Sequence, residues 1–109
     1  MKGRTLRLLL AAALAASCGQ AAADDIDAGR AKAQACAVCH GPLGIAIQPE
    51  TPNLAGLPAN YLATQLRAYR SGARPHEVMS VMAKTLTDAD ISVLSAWFSA
   101  IRVEATAPR

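Results

Sequence analysis

The stretch Cys36-Ala37-Val38-Cys39-His40 decides how the rest of this chain is interpreted. At the end of a helix, two cysteines three positions apart project to one side. Both sulfurs can then reach the two vinyl groups of one porphyrin, and the histidine that follows lies beneath the iron, where an imidazole nitrogen can act as an axial ligand. The spacing is therefore typical of covalent haem attachment.

A Cys-x-x-Cys pair also has two other uses. A structural zinc site needs four ligands, and a thioredoxin-type dithiol is expected between strands and helices. The Cys and His side chains available after residue 23 are Cys36, Cys39, His40 and His76. They lack the second close pair of a zinc site, and no segment alternates like a strand. Haem attachment is favoured, and both alternatives stay open at this point.

The first 23 residues are typical of a secretory signal peptide. Basic side chains come first, an apolar run from Leu8 to Ala16 follows, and small residues precede Asp24. Nine apolar residues are too few to cross a bilayer, which takes about 20 in a helix. We therefore expect cleavage after Ala23, which leaves a single domain over residues 24–109 in the periplasm.

Cys18 adds a second possibility for the N-terminus. The residues Leu14-Ala15-Ala16-Ser17 before it match a lipoprotein cleavage site poorly, because alanine stands where a larger aliphatic side chain is preferred. Lipidation of Cys18 would tether the domain to a membrane. Membrane attachment is expected only in that case.

Removing the leader changes the charge balance of the chain. The whole sequence has 11 Lys plus Arg against 8 Asp plus Glu, whereas residues 24–109 carry eight of each. The basic overall charge therefore does not indicate a nucleic-acid partner. A domain of this size has a thin core, and the chain has four aromatic side chains. We expect a bound group to fill part of the interior.

Hydrophobic spacing predicts about four helices and no strand, so the fold class is all-α. The predicted helices cover residues 26–38, 58–71 and 78–84, and a final segment of about thirteen residues that starts near residue 88. Gly72 is a stop signal for the second helix, and Thr87 with Asp90 forms a variant of the capping box before the last one. Between the first two helices, residues 41–56 are rich in glycine and proline. Their apolar residues follow neither the helical period nor the alternation of a strand. Long irregular loops are uncommon unless they have a function, so this loop is expected to wrap the bound group.

Further segments lie before and after the attachment motif in a familiar order, and with them the chain resembles the class I bacterial cytochromes c. It is most similar to one half of the two-haem periplasmic cytochromes. The segments are Ala28-Gly29-Arg30-Ala31-Lys32, Pro52-Asn53-Leu54-Ala55-Gly56, Tyr61-Leu62 with Gln65-Leu66, Arg70-Ser71-Gly72 with Arg74, and Leu86-Thr87-Asp88 with Asp90-Ile91. The resemblance covers nearly all of residues 24–109. It implies a class I cytochrome c fold of about four helices around one covalently bound haem c.

The resemblance also implies roles for individual residues. Met79 matches the methionine that serves as the sixth iron ligand, and Met82 is the alternative. Pro52 matches the proline whose carbonyl accepts a hydrogen bond from the haem histidine. Gly29 and Trp97 match the pair at which the first and last helices cross. Side chains near the propionate edge in related proteins correspond to Tyr61, Gln65, Arg70 and Arg74.

The function implied is that of a single-electron carrier rather than an enzyme, because histidine and methionine together leave no open position on the iron. Its partners would be a donor dehydrogenase or cytochrome complex and an acceptor oxidase or reductase. One alternative is a five-coordinate protein that binds gas or peroxide, in which neither Met79 nor Met82 reaches the iron. Another is the cytochrome subunit of a larger periplasmic oxidoreductase.

Two departures from the family pattern concern the surface. His76 follows Arg74-Pro75 and is expected to be solvated in a turn; as an iron ligand in place of methionine it would lower the potential. Residues 41–47 are more apolar than the usual polar turn after the motif, so the exposed haem edge is expected to face a hydrophobic partner.

Overall fold

The computed structural model describes residues 19–109 as helices joined by loops, with no strand in that range. Helix α1 occupies residues 19–32. It is followed by a 3-10 turn at Ala33–Ala35, and by α2 (Ala37–His40), α3 (Ala59–Ser71), α4 (Met79–Lys84) and α5 (Asp88–Ala100). The predicted all-α class is confirmed.

The predicted signal peptide lies mostly in residues 1–18, which are outside the described residues, as is Cys18. Cleavage after Ala23 and lipidation of Cys18 therefore stay predictions. Within residues 19–109, no helix has the length and apolar character that a membrane crossing requires.

The first helical region differs from the single helix predicted over residues 26–38. The helix is already formed at residue 19, upstream of the three aspartates expected at its start, and it tightens at Ala33–Ala35 before α2. The Cys36 N–H donates to the Ala33 carbonyl at 2.9 Å, and the His40 N–H donates to the Cys36 carbonyl at 2.9 Å. The first bond spans three residues and the second four, so the turn changes type beside the motif.

Helix α2 ends at His40, and the next residue, Gly41, has a positive φ of 78°, which glycine adopts most easily. The loop that follows has no regular structure up to residue 58, as predicted. Backbone hydrogen bonds fix it at several points: the Ile47 N–H donates to the Cys39 carbonyl at 3.1 Å, and the Gly56 N–H donates to the Phe98 carbonyl at 2.9 Å. The loop is thus tied to α2 at its start and to α5 at its end.

Helices α3, α4 and α5 lie where the sequence predicts them, within one residue. Gly72 ends α3 in the left-handed conformation, with φ of 84°. At the start of α5 the capping box is complete. The Asp90 N–H donates to Thr87 Oγ1 at 3.0 Å, and the Thr87 N–H donates to Asp90 Oδ2 at 2.9 Å. The Asp90 carboxylate also pairs with Lys32 Nζ at 3.1 Å, which ties α5 to α1.

Helices α1 and α5 cross at Gly29, and the predicted pairing of Gly29 with Trp97 is confirmed. A Cβ at Gly29 would overlap the Val93 carbonyl and lie 2.8 Å from the Trp97 Cβ. This close approach brings together a small apolar core. Its buried cluster is Ala33, Leu62, Leu94 and Phe98.

Candidate cofactor site

A cavity of about 710 Å³ lies among α2, the loop after it, α3, α4 and α5. Its volume is within the roughly 300–1,000 Å³ of typical ligand pockets. Most of its wall is apolar, including Leu54, Leu57, Leu66, Leu86, Leu94 and Phe98. Several buried core residues therefore face a space that the side chains themselves do not fill.

His40, the last residue of α2, lines this cavity and is 7% exposed. Its Nδ1 lies 2.8 Å from the carbonyl oxygen of Pro52. Because a carbonyl oxygen only accepts hydrogen bonds, Nδ1 must carry the proton and donate it. In the neutral ring Nε2 is then the nitrogen with a lone pair available for a metal. The predicted contact between Pro52 and the histidine is present.

Cys36 and Cys39 are half-buried free thiols on the wall of the same cavity. Burial raises the pKa of the Cys36 thiol, and the nearby Lys32 ammonium offsets part of this rise. Dithiol oxidoreductases need the opposite shift, because their attacking cysteine acts as a thiolate. Among residues 19–109, no three His, Cys, Asp or Glu side chains cluster as a metal site requires.

Three further candidates for the iron line the cavity: Met79, Met82 and His76. Met79 is the first residue of α4 and is half-buried, whereas Met82 is 44% exposed. His76 is exposed, as expected, but its Nδ1 accepts hydrogen bonds from the N–H groups of Val78 and Met79, each at 3.1 Å. These bonds are not predicted by the sequence pattern. A polar residue two positions before a predicted helix was the signal that could have indicated them.

The side chains expected at the propionate edge fall into two groups. Tyr61, Gln65 and Arg74 line the cavity, and Arg74 Nη1 donates to Gln65 Oε1 at 2.6 Å. Arg70 lies elsewhere, because its guanidinium donates to the Leu86 carbonyl at 3.0 Å and to Asp88 Oδ1 at 2.6 Å. The structure therefore brings three of these four side chains to the cavity and uses Arg70 to join α3 to the start of α5.

The cysteine pair, the oriented histidine and the apolar cavity agree with a comparison of the sequence with protein families. A family model described as cytochrome c matches residues 26–101. The chain belongs to the cytochrome c family. Family membership decides against the zinc and dithiol alternatives. The cofactor of this cytochrome is haem c, bound covalently, and the protein is an electron carrier.

Individual relatives agree with this assignment. The chain is 40% identical over 80 residues to cytochrome c-554(548) of Halomonas halodenitrificans, an alignment that covers 71% of this chain and 96% of the relative. It is 44% identical over 73 residues to the thiosulfate dehydrogenase electron acceptor of Thiomonas intermedia, covering 65% of this chain and 33% of the relative. It is 37% identical over 78 residues to cytochrome c4 of Pseudomonas aeruginosa, covering 72% of this chain and 39% of the relative. The cytochrome thus spans nearly all of one relative and about a third to two fifths of the others.

The residues present fit haem c. Two free thiols three positions apart lie on one cavity wall, beside a buried histidine whose Nε2 is left available by the bond to Pro52. The walls supply the apolar surroundings that a porphyrin needs, and Arg74 supplies a cation at the polar part of the rim. Cys36 and Cys39 would hold the porphyrin, and His40 would be the first iron ligand.

Proposed function

We propose that this cytochrome is a six-coordinate, single-electron carrier with His40 and Met79 as axial ligands and thioether bonds at Cys36 and Cys39. The observation that carries the proposal is the hydrogen bond of 2.8 Å between His40 Nδ1 and the Pro52 carbonyl, on the wall of a cavity that Met79 also lines. A ligating histidine is normally held in this way through its other nitrogen.

The chain's own residues set the conditions for electron transfer. The bound haem iron supplies the chemistry, which is the gain and loss of one electron. The Pro52 carbonyl fixes the rotation of the imidazole and increases the basicity of Nε2. The thioether of Met79 raises the potential relative to a second histidine. With His40 and Met79 both bound to it, the iron would have no free position, which would favour electron transfer over gas or peroxide binding.

The cavity wall contributes in two further ways. Its leucine side chains and Phe98 exclude water, which disfavours the extra positive charge of the oxidised state. Arg74, fixed by Gln65 at 2.6 Å, places a cation at the rim together with the hydroxyl of Tyr61. We assign this group to the carboxylates of the propionates.

The cellular setting is part of the proposal. The basic and apolar leader supports export, with cleavage after Ala23 and a mature domain of residues 24–109 in the periplasm. Two relatives are named thiosulfate dehydrogenase electron acceptor. We therefore propose a periplasmic dehydrogenase as the class of donor and an oxidase or reductase as the class of acceptor. Lipidation of Cys18 would place the same domain at the membrane surface.

The intact mass and visible spectrum of the exported protein test the attachment and the leader together. We expect a mass equal to residues 24–109 plus one haem, and the spectrum of a six-coordinate c-type haem. A colourless, folded protein would overturn the proposal. Carbon monoxide added to the reduced protein should bind slowly or incompletely, and rapid stoichiometric binding would instead indicate a five-coordinate site.

The ligand assignment is tested with a matched pair of variants, Met79→Ala and Met82→Ala. Met79→Ala should remove the methionine-to-iron absorption band of the oxidised protein, lower the potential and open the iron to carbon monoxide. Met82→Ala should retain all three properties of the wild type. The reverse pattern would assign the iron to Met82.

A further inference from the structure

The start of α4 is held by a reciprocal pair of hydrogen bonds that involves His76. The imidazole Nδ1 accepts from the N–H groups of Val78 and Met79, each at 3.1 Å. In the other direction, the His76 N–H donates to Ser80 Oγ at 2.9 Å. The Ser80 N–H donates to the His76 carbonyl at 3.1 Å. The arrangement resembles a capping box in which an imidazole replaces the usual hydroxyl or carboxylate.

Helix α4 depends on such a cap more than a longer helix would. It has six residues, and its N-cap residue, Val78, has no side chain that can accept a hydrogen bond. The first N–H groups of any helix lack partners within the helix. His76 supplies the acceptor for two of them. The Ser80 hydroxyl accepts a hydrogen bond from the His76 N–H in return.

The imidazole is also anchored to α3. Its ring meets the ring of Tyr69 edge to face, with 6.0 Å between centroids. The Arg74 guanidinium lies over the Tyr69 ring, 4.7 Å from its centroid, and is itself bonded to Gln65. His76 therefore connects the first residue of α4 to a helix that forms another wall of the same cavity.

We propose that His76 is a positioning residue for Met79: its Nδ1 holds the Met79 backbone N–H so that the thioether is presented to the cavity. This inference rests on the proposed function, because it takes Met79 as the iron ligand. It differs from the alternative in which His76 itself binds the iron: because Nδ1 accepts hydrogen bonds from the backbone of α4, the neutral ring carries its proton on Nε2, which then has no free lone pair for a metal. The loss of the cap would leave the haem attached but weaken the hold on its sixth ligand.

Two substitutions separate the acceptor from the rest of the side chain. In His76→Asn, the amide oxygen occupies nearly the position of Nδ1 and can accept from the Met79 N–H, as asparagine does at helix starts. In His76→Gln, the oxygen reaches the position of Nε2 instead. We expect the asparagine variant to behave like the wild type and the glutamine variant to be impaired. Lys84→Ala, at the exposed end of α4, is the control.

The measurement is the displacement of Met79 from the oxidised holoprotein by added imidazole, followed through the methionine-to-iron absorption band. Added imidazole competes with Met79 for the iron. Any weakening of Met79 binding should therefore raise the apparent affinity for imidazole by the same factor. Loss of one cap typically changes an equilibrium by about 5- to 30-fold. His76→Gln should therefore raise the apparent affinity for imidazole by about 5- to 30-fold and lower the reduction potential. His76→Asn and Lys84→Ala should stay within about twofold of the wild type.

The outcomes distinguish this inference from the proposed function. If the wild type shows methionine ligation that Met79→Ala abolishes, but His76→Gln matches the wild type, the positioning role is wrong and the proposed function stands. If the wild type lacks methionine ligation, or if both His76 variants lose the sixth ligand completely, the ligand assignment fails and the inference fails with it.

Discussion

Hydrophobic spacing does not explain why residues 29 and 72 are glycine. The structure requires Gly29 and Gly72 for different physical reasons. At Gly29, a side chain would overlap the backbone of α5 at Val93 and crowd Trp97. At Gly72, a side chain would project into open space, but φ is 84°, which favours glycine. One glycine is required by packing between helices and the other by local backbone geometry.

Substitution by alanine should separate these two requirements. Gly29→Ala should destabilise the cytochrome by about 2 kcal/mol, because overpacking against backbone exceeds the gain in helix propensity. Gly72→Ala should cost about 1 kcal/mol through its left-handed conformation alone. Denaturant unfolding measures both values. Because the chain has a single tryptophan, the near-ultraviolet circular dichroism of Trp97 should change only in Gly29→Ala. An unchanged Trp97 signal in that variant would contradict the packing argument.

At the scale of elements, helices α4 and α5 each begin next to a side chain that accepts hydrogen bonds from backbone N–H groups at the helix start. Helix α5 has a complete capping box, made by Thr87 and Asp90. Helix α4 has no side-chain cap from its own N-cap residue and uses His76 instead. The two solutions are equivalent because each provides an acceptor for N–H groups that the helix leaves free.

Removal of the α5 cap gives a stability prediction. Thr87→Ala should lower the free energy of unfolding by about 1 kcal/mol, because the Asp90 N–H loses its acceptor, Thr87 Oγ1. Ser92→Ala, on the exposed face of the same helix, should stay within about 0.5 kcal/mol of the wild type. Equal effects of the two substitutions in denaturant unfolding would show that the cap does not stabilise α5.

The same cap predicts a pH dependence. The hydrogen bond from the Thr87 backbone and the Lys32 ammonium lower the pKa of the Asp90 carboxyl below its usual value. The folded state therefore binds this proton less readily than the unfolded state, whose pKa is about 3.9. The Asp90 carboxylate therefore contributes stability at pH values above the unfolded-state pKa. This contribution is lost as the pH falls through the lower pKa of the folded state. Between pH 6 and pH 3, wild-type unfolding free energy should fall more steeply than that of Asp90→Asn; parallel curves would contradict this.

At the scale of the whole molecule, we expect the cofactor to form part of the core. The buried hydrophobic residues among those described are Ala33, Leu62, Ala83, Ile91, Leu94 and Phe98. Three of them, Leu62, Leu94 and Phe98, also line the cavity of about 710 Å³. A bound porphyrin would cover these apolar side chains, so we expect it to contribute packing that the small polypeptide core does not supply.

Loss of covalent attachment should therefore unfold the domain. The double variant Cys36→Ala with Cys39→Ala, purified without haem, should lose most of its helical circular dichroism and show no cooperative thermal transition. Val38→Ala, at a 68% exposed position inside the same motif, should bind haem and fold like the wild type. A helical, cooperatively melting double variant would show that the polypeptide core suffices by itself.

The amino-acid sequence by itself determined the attachment motif, the all-α class and the positions of α3, α4 and α5. These features depend on groups within about four residues of each other: the cysteine spacing, the stop at Gly72 and the cap between Thr87 and Asp90. Only the tertiary structure decided the tightened turn at Ala33–Ala35, because Ala33, Gln34 and Ala35 all favour a continuous α-helix by themselves. It also decided that the Arg70 guanidinium bonds to the Leu86 carbonyl and to Asp88 rather than lining the cavity. Distant contacts of this kind are set by how the helices pack, and local spacing does not encode them.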